Sequence, residues 1–203
     1  MIKILKYTVL CFVVFSCKAL PEDNYRRLLK TQHFKESACE IIKDENIFTL
    51  PMGIEYTNSL KLTDSLVRIN DKESFVSNYK LFRCYGTEGK NYRITVYGIC
   101  NCWGFRKYML NPSVVLIDNE AKEIKVKTIK EETVLRQDMA NAGLPFHTDV
   151  EWEFAMTKSC DFTIMLYSNN LLIAGEVVRH EQQKWPFFRS DVIGDFMITI
   201  QEK

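Results

Sequence analysis

Histidine is scarce in this sequence, and its distribution argues against the common histidine-based sites. The chain has only His33, His147 and His180, and none of them belongs to a His-x-x-x-His or Cys-His spacing. A structural or catalytic zinc ion needs several such ligands held close together. The sequence therefore predicts no metal site and no cofactor.

Signature motifs of common enzymes are also missing. There is no G-x-S-x-G nucleophile turn, no P-loop and no G-x-G-x-x-G fingerprint. Glu151 and Glu153 share one face of a predicted strand, and because its other face is apolar, solvent exposure explains them. The sequence nominates no catalytic residue and favours a non-enzymatic protein. A hydrolase whose active site is assembled from scattered strand residues is the alternative.

Neither sign of charge predominates. The 27 basic and 26 acidic residues give a formal net charge of +1. A surface for nucleic acid needs a basic excess on one face, so no nucleic-acid partner is expected. The chain also lacks an apolar run of the roughly 20 residues that a membrane-spanning helix requires.

The first residues have the parts of a secretory signal peptide. Lys3 and Lys6 precede a short apolar run at 7–15, and the run ends in Val-Phe-Ser before Cys17. That ending resembles the lipobox of bacterial lipoproteins, which implies acylation at Cys17. Lys18 in the next position implies, by the same resemblance, the outer membrane. Cleavage after Ala19 by an ordinary signal peptidase is the alternative.

The sequence predicts a signal peptide at 1–16, a lipid-attachment and tether segment at 17–45, and one β domain at 46–203. Residues 21–42 of the tether are expected to be helical or irregular, with Tyr25, Leu28 and Leu29 at helical spacing, and a second short helical turn is an option at 37–42. The expected location is the periplasm, with the lipid at Cys17 holding the protein on the outer membrane.

The stretch 92–126 dominates the predicted β domain. Residues 113–118 are apolar on both faces, which is typical of a strand buried between two layers, and residues 123–126 alternate between apolar and charged. Further strands are predicted around 47–50, 65–70, 75–85, 152–156, 162–166 and 196–200, and short helices at 131–142 and 170–180. We expect a mainly β fold, an antiparallel, jelly-roll-like β-sandwich with a helical tether and one or two short helices.

Aromatic residues cluster near two predicted loops. They supply a candidate ligand or partner surface consisting of Tyr97, Trp103, Tyr108 and Trp185. Aromatic rings stack on sugars and also anchor protein interfaces. Burial in the core of the sandwich is the alternative for each of them.

Five cysteines follow Cys17, an odd number, so at least one is free or pairs outside the chain. They are Cys39, Cys84, Cys100, Cys102 and Cys160. Cys100 and Cys102 would share one face of a regular strand, too far apart to bond directly. The connectivity of the others stays open.

The order of these strands resembles the maltose-operon periplasmic protein family of Gram-negative bacteria. The residues that carry the resemblance are 75–81, 92–96, 111–118, 161–168 and 194–200. The resemblance implies an exported β-rich accessory protein and brings no catalytic residues. Together with the leader, it predicts an envelope lipoprotein that binds a carbohydrate or a protein partner.

Overall fold

The computed structural model describes residues 19–31, 33–43, 46–70, 74–100, 107–134, 146–174 and 188–203. The predicted signal peptide, Cys17, Trp103 and Trp185 lie outside these ranges. Within them the chain forms three helices, α1 (Pro21–Leu29), α2 (Ala38–Ile41) and α3 (Leu171–Ala174). None of these helices has the length and apolar character needed to cross a membrane.

Most of the described chain is extended. The strands are β1 (Ile47–Thr49), β2 (Tyr56–Leu60), β3 (Leu66–Asn70), β4 (Ser74–Gly86), β5 (Asn91–Ile99), β6 (Lys107–Leu110), β7 (Pro112–Asp118), β8 (Glu123–Ile124), β9 (Lys127–Val134), β10 (His147–Ala155), β11 (Cys160–Ser168), β12 (Phe188–Asp191) and β13 (Gly194–Glu202).

Two sheets make up the body of the protein. The six-stranded sheet has the order β1-β4-β11-β7-β8, with β3 also paired to β4, and the five-stranded sheet has the order β2-β13-β5-β10-β9. Their pairings are antiparallel except for β1 with β4. A small parallel pair, β6 with β12, lies beside them. The predicted mainly β, sandwich-like architecture is confirmed.

The main core lies between the two sheets. Alternate residues of each strand point into it, as the period of two requires. The six-stranded sheet supplies Phe82 and Ile164, and the five-stranded sheet supplies Ile94, Val96 and Phe196. All five are 0 % exposed.

Strand β7 is buried on both faces, as its continuous apolar run predicts. Leu116 belongs to the core between the sheets. Ile117, its neighbour, points the other way into a second cluster with Leu81, Met165 and Ile41 of α2. The N-terminal segment therefore covers the outer face of the six-stranded sheet.

Helix α1, predicted as part of a tether, packs on the β domain. Leu28 is 1 % exposed and contacts a cluster that includes Leu66, Val76 and Val192. The Tyr25 hydroxyl accepts a hydrogen bond from the backbone N–H of Val76, at 3.3 Å. Both helices of the predicted tether are thus part of the folded unit.

Hydrogen bonds between buried polar groups also hold α1 against the β domain. The Asn24 side chain donates to Asp191 at 3.3 Å, and the Ser168 hydroxyl donates to the Asp191 carbonyl at 2.9 Å. The Asn170 amide donates to the Val76 carbonyl at 2.9 Å. Buried polar groups need such partners, and these bonds join α1, β4, β11 and β12.

The helix predicted at 131–142 is wrong where the structure describes it. Residues up to Val134 continue β9, which pairs with β10 from His147 to Glu153. Backbone pairing with a neighbouring strand satisfies their N–H and C=O groups, which outweighs a weak local helical pattern. Residues 135–142 lie outside the described ranges. The helix predicted at 170–180 is confirmed for its first turn, α3, and its remainder is not described.

Candidate partner-binding surface

The outer faces of the two sheets differ. Helix α2 covers that of the six-stranded sheet, whereas that of the five-stranded sheet carries polar and charged side chains. We call this second surface the open face. Its described side chains include Arg93, Thr95 and Tyr97 of β5, Lys130 and Glu132 of β9, Asp149, Glu151 and Glu153 of β10, and Met197, Thr199 and Gln201 of β13.

Strand register places these side chains in rows across the sheet. Tyr97 lies between Asp149 of β10 and Met197 of β13. Arg93, four residues earlier on β5, pairs in register with Glu153. Directly opposed side chains on one face are in reach of each other. The strand register therefore determines which side chains of the open face are adjacent in this array.

Ion pairs hold one end of this array. Arg93 contacts Glu151 at 3.2 Å and Glu153 at 2.9 Å through different guanidinium nitrogens, and Lys203 contacts Glu153 at 2.6 Å. The hydrogen bonds from Lys203 and Arg93 lower the pKa of Glu153. These carboxylates already have cationic partners within the chain.

Lys130 forms a second group with two carboxylates. Its ammonium lies 2.5 Å from Asp149 and 2.9 Å from Glu132. The hydrogen bonds with Asp149 and Glu132 raise the pKa of Lys130, so it stays protonated across the physiological range. This geometry fixes one oxygen of Asp149.

Tyr97 lies beside this group. Its ring packs edge-on against His147, with centroids 5.3 Å apart and planes at 76°. Desolvation by burial is the largest cause that raises the pKa of Tyr97, and the negative charge of Asp149 adds to it. Glu151 and Glu55 act in the same direction, and Lys130 opposes them. Three carboxylates and one ammonium therefore set the potential at this ring.

Asp149 has an unused acceptor. The residue is only 5 % exposed. Its Oδ2 accepts from Lys130, while its Oδ1 has no hydrogen-bond partner among the described residues. A buried carboxylate oxygen without a donor is costly. The open face thus combines a half-buried phenol ring with an unsatisfied anionic acceptor on the neighbouring strand.

The structure separates the four aromatic residues nominated from sequence. Tyr97 is on the open face, whereas Tyr108 is only 6 % exposed and contributes to packing in β6. Its place on a partner surface is therefore corrected, because too little of the ring is accessible for a partner to contact it. Trp103 and Trp185 are outside the described residues.

The residues around Tyr97 that sequence reasoning missed are Asp149, Lys130 and Glu55. Glu151 and Glu153 were recognised as sharing one strand face, and extending that alternation by one step reaches Asp149. Lys130 carries no comparable signal, because it reaches Asp149 only through the pairing of β9 with β10. Glu55 acts on Tyr97 through its charge, and its place in the sequence does not indicate this.

The cysteines provide no further site. Cys39, Cys84 and Cys160 are free thiols. Cys100 is disulfide-bonded, and Cys102 lies outside the described residues. No group of three or more metal-ligating side chains occurs in the described part of the chain.

Comparisons with known proteins give distant structural similarity alone. No protein-family model matches the chain, and no curated protein matches it, so the resemblance to the maltose-operon periplasmic family stays a prediction. The chain is similar to the periplasmic inhibitor of g-type lysozyme from Aeromonas hydrophila, with a TM-score of 0.34 and 7 % identity over 83 % of this chain and 100 % of the other. It is also similar to the pre-peptidase C-terminal domain of a Bacillus anthracis collagenase, with a TM-score of 0.31 and 10 % identity over 85 % and 100 %.

Proposed function

We propose that this protein is a non-enzymatic accessory protein of the bacterial cell envelope that binds a protein partner through the open face. The partner inserts a lysine or arginine side chain beside Tyr97. The observation that carries this proposal is the unsatisfied Oδ1 of Asp149 next to a half-buried aromatic ring.

The charges around Tyr97 select the sign of the partner. Asp149, Glu151 and Glu55 all act on the ring, and Lys130 is the one opposing cation among the causes of its shift. A cation placed over a tyrosine ring gains roughly 0.5–2 kcal/mol, with the larger value where water is excluded. An arginine or lysine over the ring would also be attracted by the negative charge of Asp149, which is buried on the neighbouring strand.

The open face is also pre-organised for binding. Its side chains stand on paired strands, and Arg93 and Lys203 hold Glu153 in place. Rigid surfaces lose less conformational entropy on association than mobile ones do. A sheet face carrying fixed charges suits a protein partner better than a small molecule, which favours a concave pocket.

A peptide titration tests the proposal. The full chain, labelled for NMR, is titrated with a tri-arginine peptide. We expect amide shifts around Tyr97 and Asp149, weakening with salt because the Debye length shortens. Tyr97→Ala and Asp149→Asn should each weaken binding several-fold.

Asp161→Asn is the matched control. It removes one exposed negative charge from the other sheet and should leave the affinity unchanged. An equal loss of affinity for the tri-arginine peptide in Asp161→Asn would contradict the proposal. Amide shifts of equal size on titration with a tri-glutamate peptide would contradict it as well. Unfolding midpoints of all variants exclude a loss caused by misfolding.

Membrane anchoring is part of the same proposal and rests on the leader. Acylation at Cys17 would bury many methylene groups in the bilayer, each contributing about 0.8 kcal/mol. Cys17→Ser should therefore abolish labelling by palmitate and release the protein into the soluble periplasmic fraction. Unchanged membrane association of the variant would favour ordinary cleavage after Ala19 and a different mode of attachment.

A further inference from the structure

A second surface has the chemistry of a small-molecule site. A cleft of about 230 Å³ opens at the edge of the six-stranded sheet, where β1 meets β4 and the turn before β3. The side chains that give it its chemistry belong to Asn46, Phe48, Thr63, Asp64, Ser65 and Lys80. None of them lies on the open face.

Phe48 presents a fixed aromatic surface to this cleft. The residue is 37 % exposed, yet its ring is 5.9 Å from the Tyr56 ring and 6.1 Å from the Phe82 ring, centroid to centroid. Phe82 is itself fully buried. The exposed part of the Phe48 ring is therefore anchored by the core behind it.

An ion pair lies next to this ring. The Lys80 ammonium is 3.0 Å from Asp64 Oδ1, with side chains only 12 % and 16 % exposed. The Lys61 backbone N–H donates to Asp64 Oδ2 at 2.7 Å. The Lys80 ammonium lies over the Phe48 ring, 5.7 Å from its centroid. Acceptor, donor and ring are thus held within one small volume.

The balance of charge in the cleft indicates the class of ligand. The lining residues carry one carboxylate and one ammonium, and these neutralise each other. A phosphate or sulfate would meet no net positive charge. A neutral ligand with several hydroxyl groups would find an acceptor in Asp64 and a donor in Lys80.

The Phe48 ring supplies an apolar contact for the part of such a ligand that carries no hydroxyl groups. Sugar rings have one face of C–H groups, and an exposed aromatic ring packs against such a face while polar groups bind the hydroxyls. The volume is below the 300–1,000 Å³ common for larger ligands, which suits one ring. We propose that this cleft binds a single neutral hexose unit, packed against the exposed part of the Phe48 ring and hydrogen-bonded to Asp64 and Lys80.

Sugar titrations monitored by NMR test this proposal. The full chain is titrated separately with glucose, galactose, mannose and N-acetylglucosamine, and with glucose 6-phosphate and glucuronate as charged comparators. At least one neutral sugar should shift the amides of Phe48 and Lys80 and saturate with a Kd on the order of 1 mM. A disaccharide of the same sugar that binds more tightly would show that the cleft takes the end of a glycan, and equal binding would show that it takes a free monosaccharide.

Variants distinguish specific sugar binding in the cleft from nonspecific binding elsewhere on the protein. Phe48→Ala should weaken binding roughly tenfold, the upper range for one aromatic contact, and Asp64→Asn should weaken it as well. Tyr85→Ala is the matched control, because it removes another exposed ring, 58 % exposed on β4. The proposal is overturned if no neutral sugar shifts the cleft, if the charged sugars bind better, or if Tyr85→Ala loses as much affinity as Phe48→Ala.

Discussion

Asp118 shows how one side chain closes the turn between β7 and β8. Its Oδ1 accepts hydrogen bonds from the backbone N–H groups of Glu120 at 2.8 Å and Lys122 at 2.9 Å. Its Oδ2 is 3.1 Å from the Lys158 ammonium. Desolvation by itself would raise the pKa of Asp118, but the bonds from Lys122, Lys158 and Glu120 outweigh it and lower the pKa.

The lowered pKa of Asp118 predicts a pH-dependent contribution to stability. A carboxyl with a lower pKa in the folded state stabilises it above its unfolded pKa, about 3.9, and this contribution is lost as the pH falls through the folded value. Asp118→Asn should therefore cost about 1–3 kcal/mol at pH 7, with the difference from wild type shrinking below about pH 4. Urea unfolding at several pH values measures it. A difference that grows towards acid would contradict the assignment.

Gly98 marks the place where β6 crosses β5. A Cβ added there would lie 2.3 Å from the Leu110 carbonyl oxygen and 2.4 Å from the Thr148 hydroxyl oxygen. Backbone atoms cannot move aside cheaply, so Gly98→Ala should destabilise the protein by about 2 kcal/mol or more.

Gly86→Ala is the control for Gly98. There the added Cβ meets Met156, whose side chain is flexible, so the cost should be smaller. The unfolding midpoints of the two variants measure the difference in stability. Equal losses of stability in Gly98→Ala and Gly86→Ala would show that the crossing at Gly98 is not rigid.

At the scale of elements, α1 offers a matched pair of leucines. Leu28 is 1 % exposed and its neighbour Leu29 is 52 % exposed. Leu28→Ala removes buried methyl groups and should cost about 2–4 kcal/mol, whereas Leu29→Ala should change stability by about 0.5 kcal/mol or less. Chemical denaturation of both variants measures the difference. Equal small effects would mean that α1 contributes no packing and serves only as a tether.

The strands were predictable where burial alone sets the pattern. Strand β7 is buried on both sides and β13 alternates, so both could be located from residue order. Strand β9 was misjudged at its end because it is an edge strand whose described side chains are mostly exposed or half-exposed. Without a buried face, apolar spacing carries little information on whether such residues form a strand or a helix.

The candidate surface could be predicted only in part, for a related reason. Tyr97 was nominated as an aromatic residue close to a loop, and it lies half-buried on the outer face of the five-stranded sheet. Alternation along β10 tells which residues share a face, but it does not tell which strand lies alongside. Tyr97 pairs with Asp149 in register across β5 and β10, and Lys130 reaches Asp149 diagonally from its place on β9 opposite Glu151. The local sequence does not indicate contacts between segments that are far apart in the chain.

At the scale of the whole molecule, the three free thiols differ in burial. Cys84 is 5 % exposed and Cys160 is 7 % exposed, and desolvation by burial raises the pKa of Cys84 to about 12. Cys39 is exposed. Since the thiolate is the reactive form, iodoacetamide should label Cys39 in the native protein and reach Cys84 and Cys160 only after denaturation. Peptide mass spectrometry reads out each position, and native labelling of Cys84 would contradict its burial.

The covering of the six-stranded sheet by the N-terminal segment has a practical consequence for producing this protein. A recombinant version that begins at Asn46 would lose α1 and α2. The cluster that contains Tyr79, Leu81, Ile117 and Met165 would then be exposed to water as one hydrophobic patch. Patches of that kind drive self-association. Such a shortened protein is expected to accumulate as inclusion bodies, while a version that begins at Ala19 keeps both helices and should remain dispersed at high concentration.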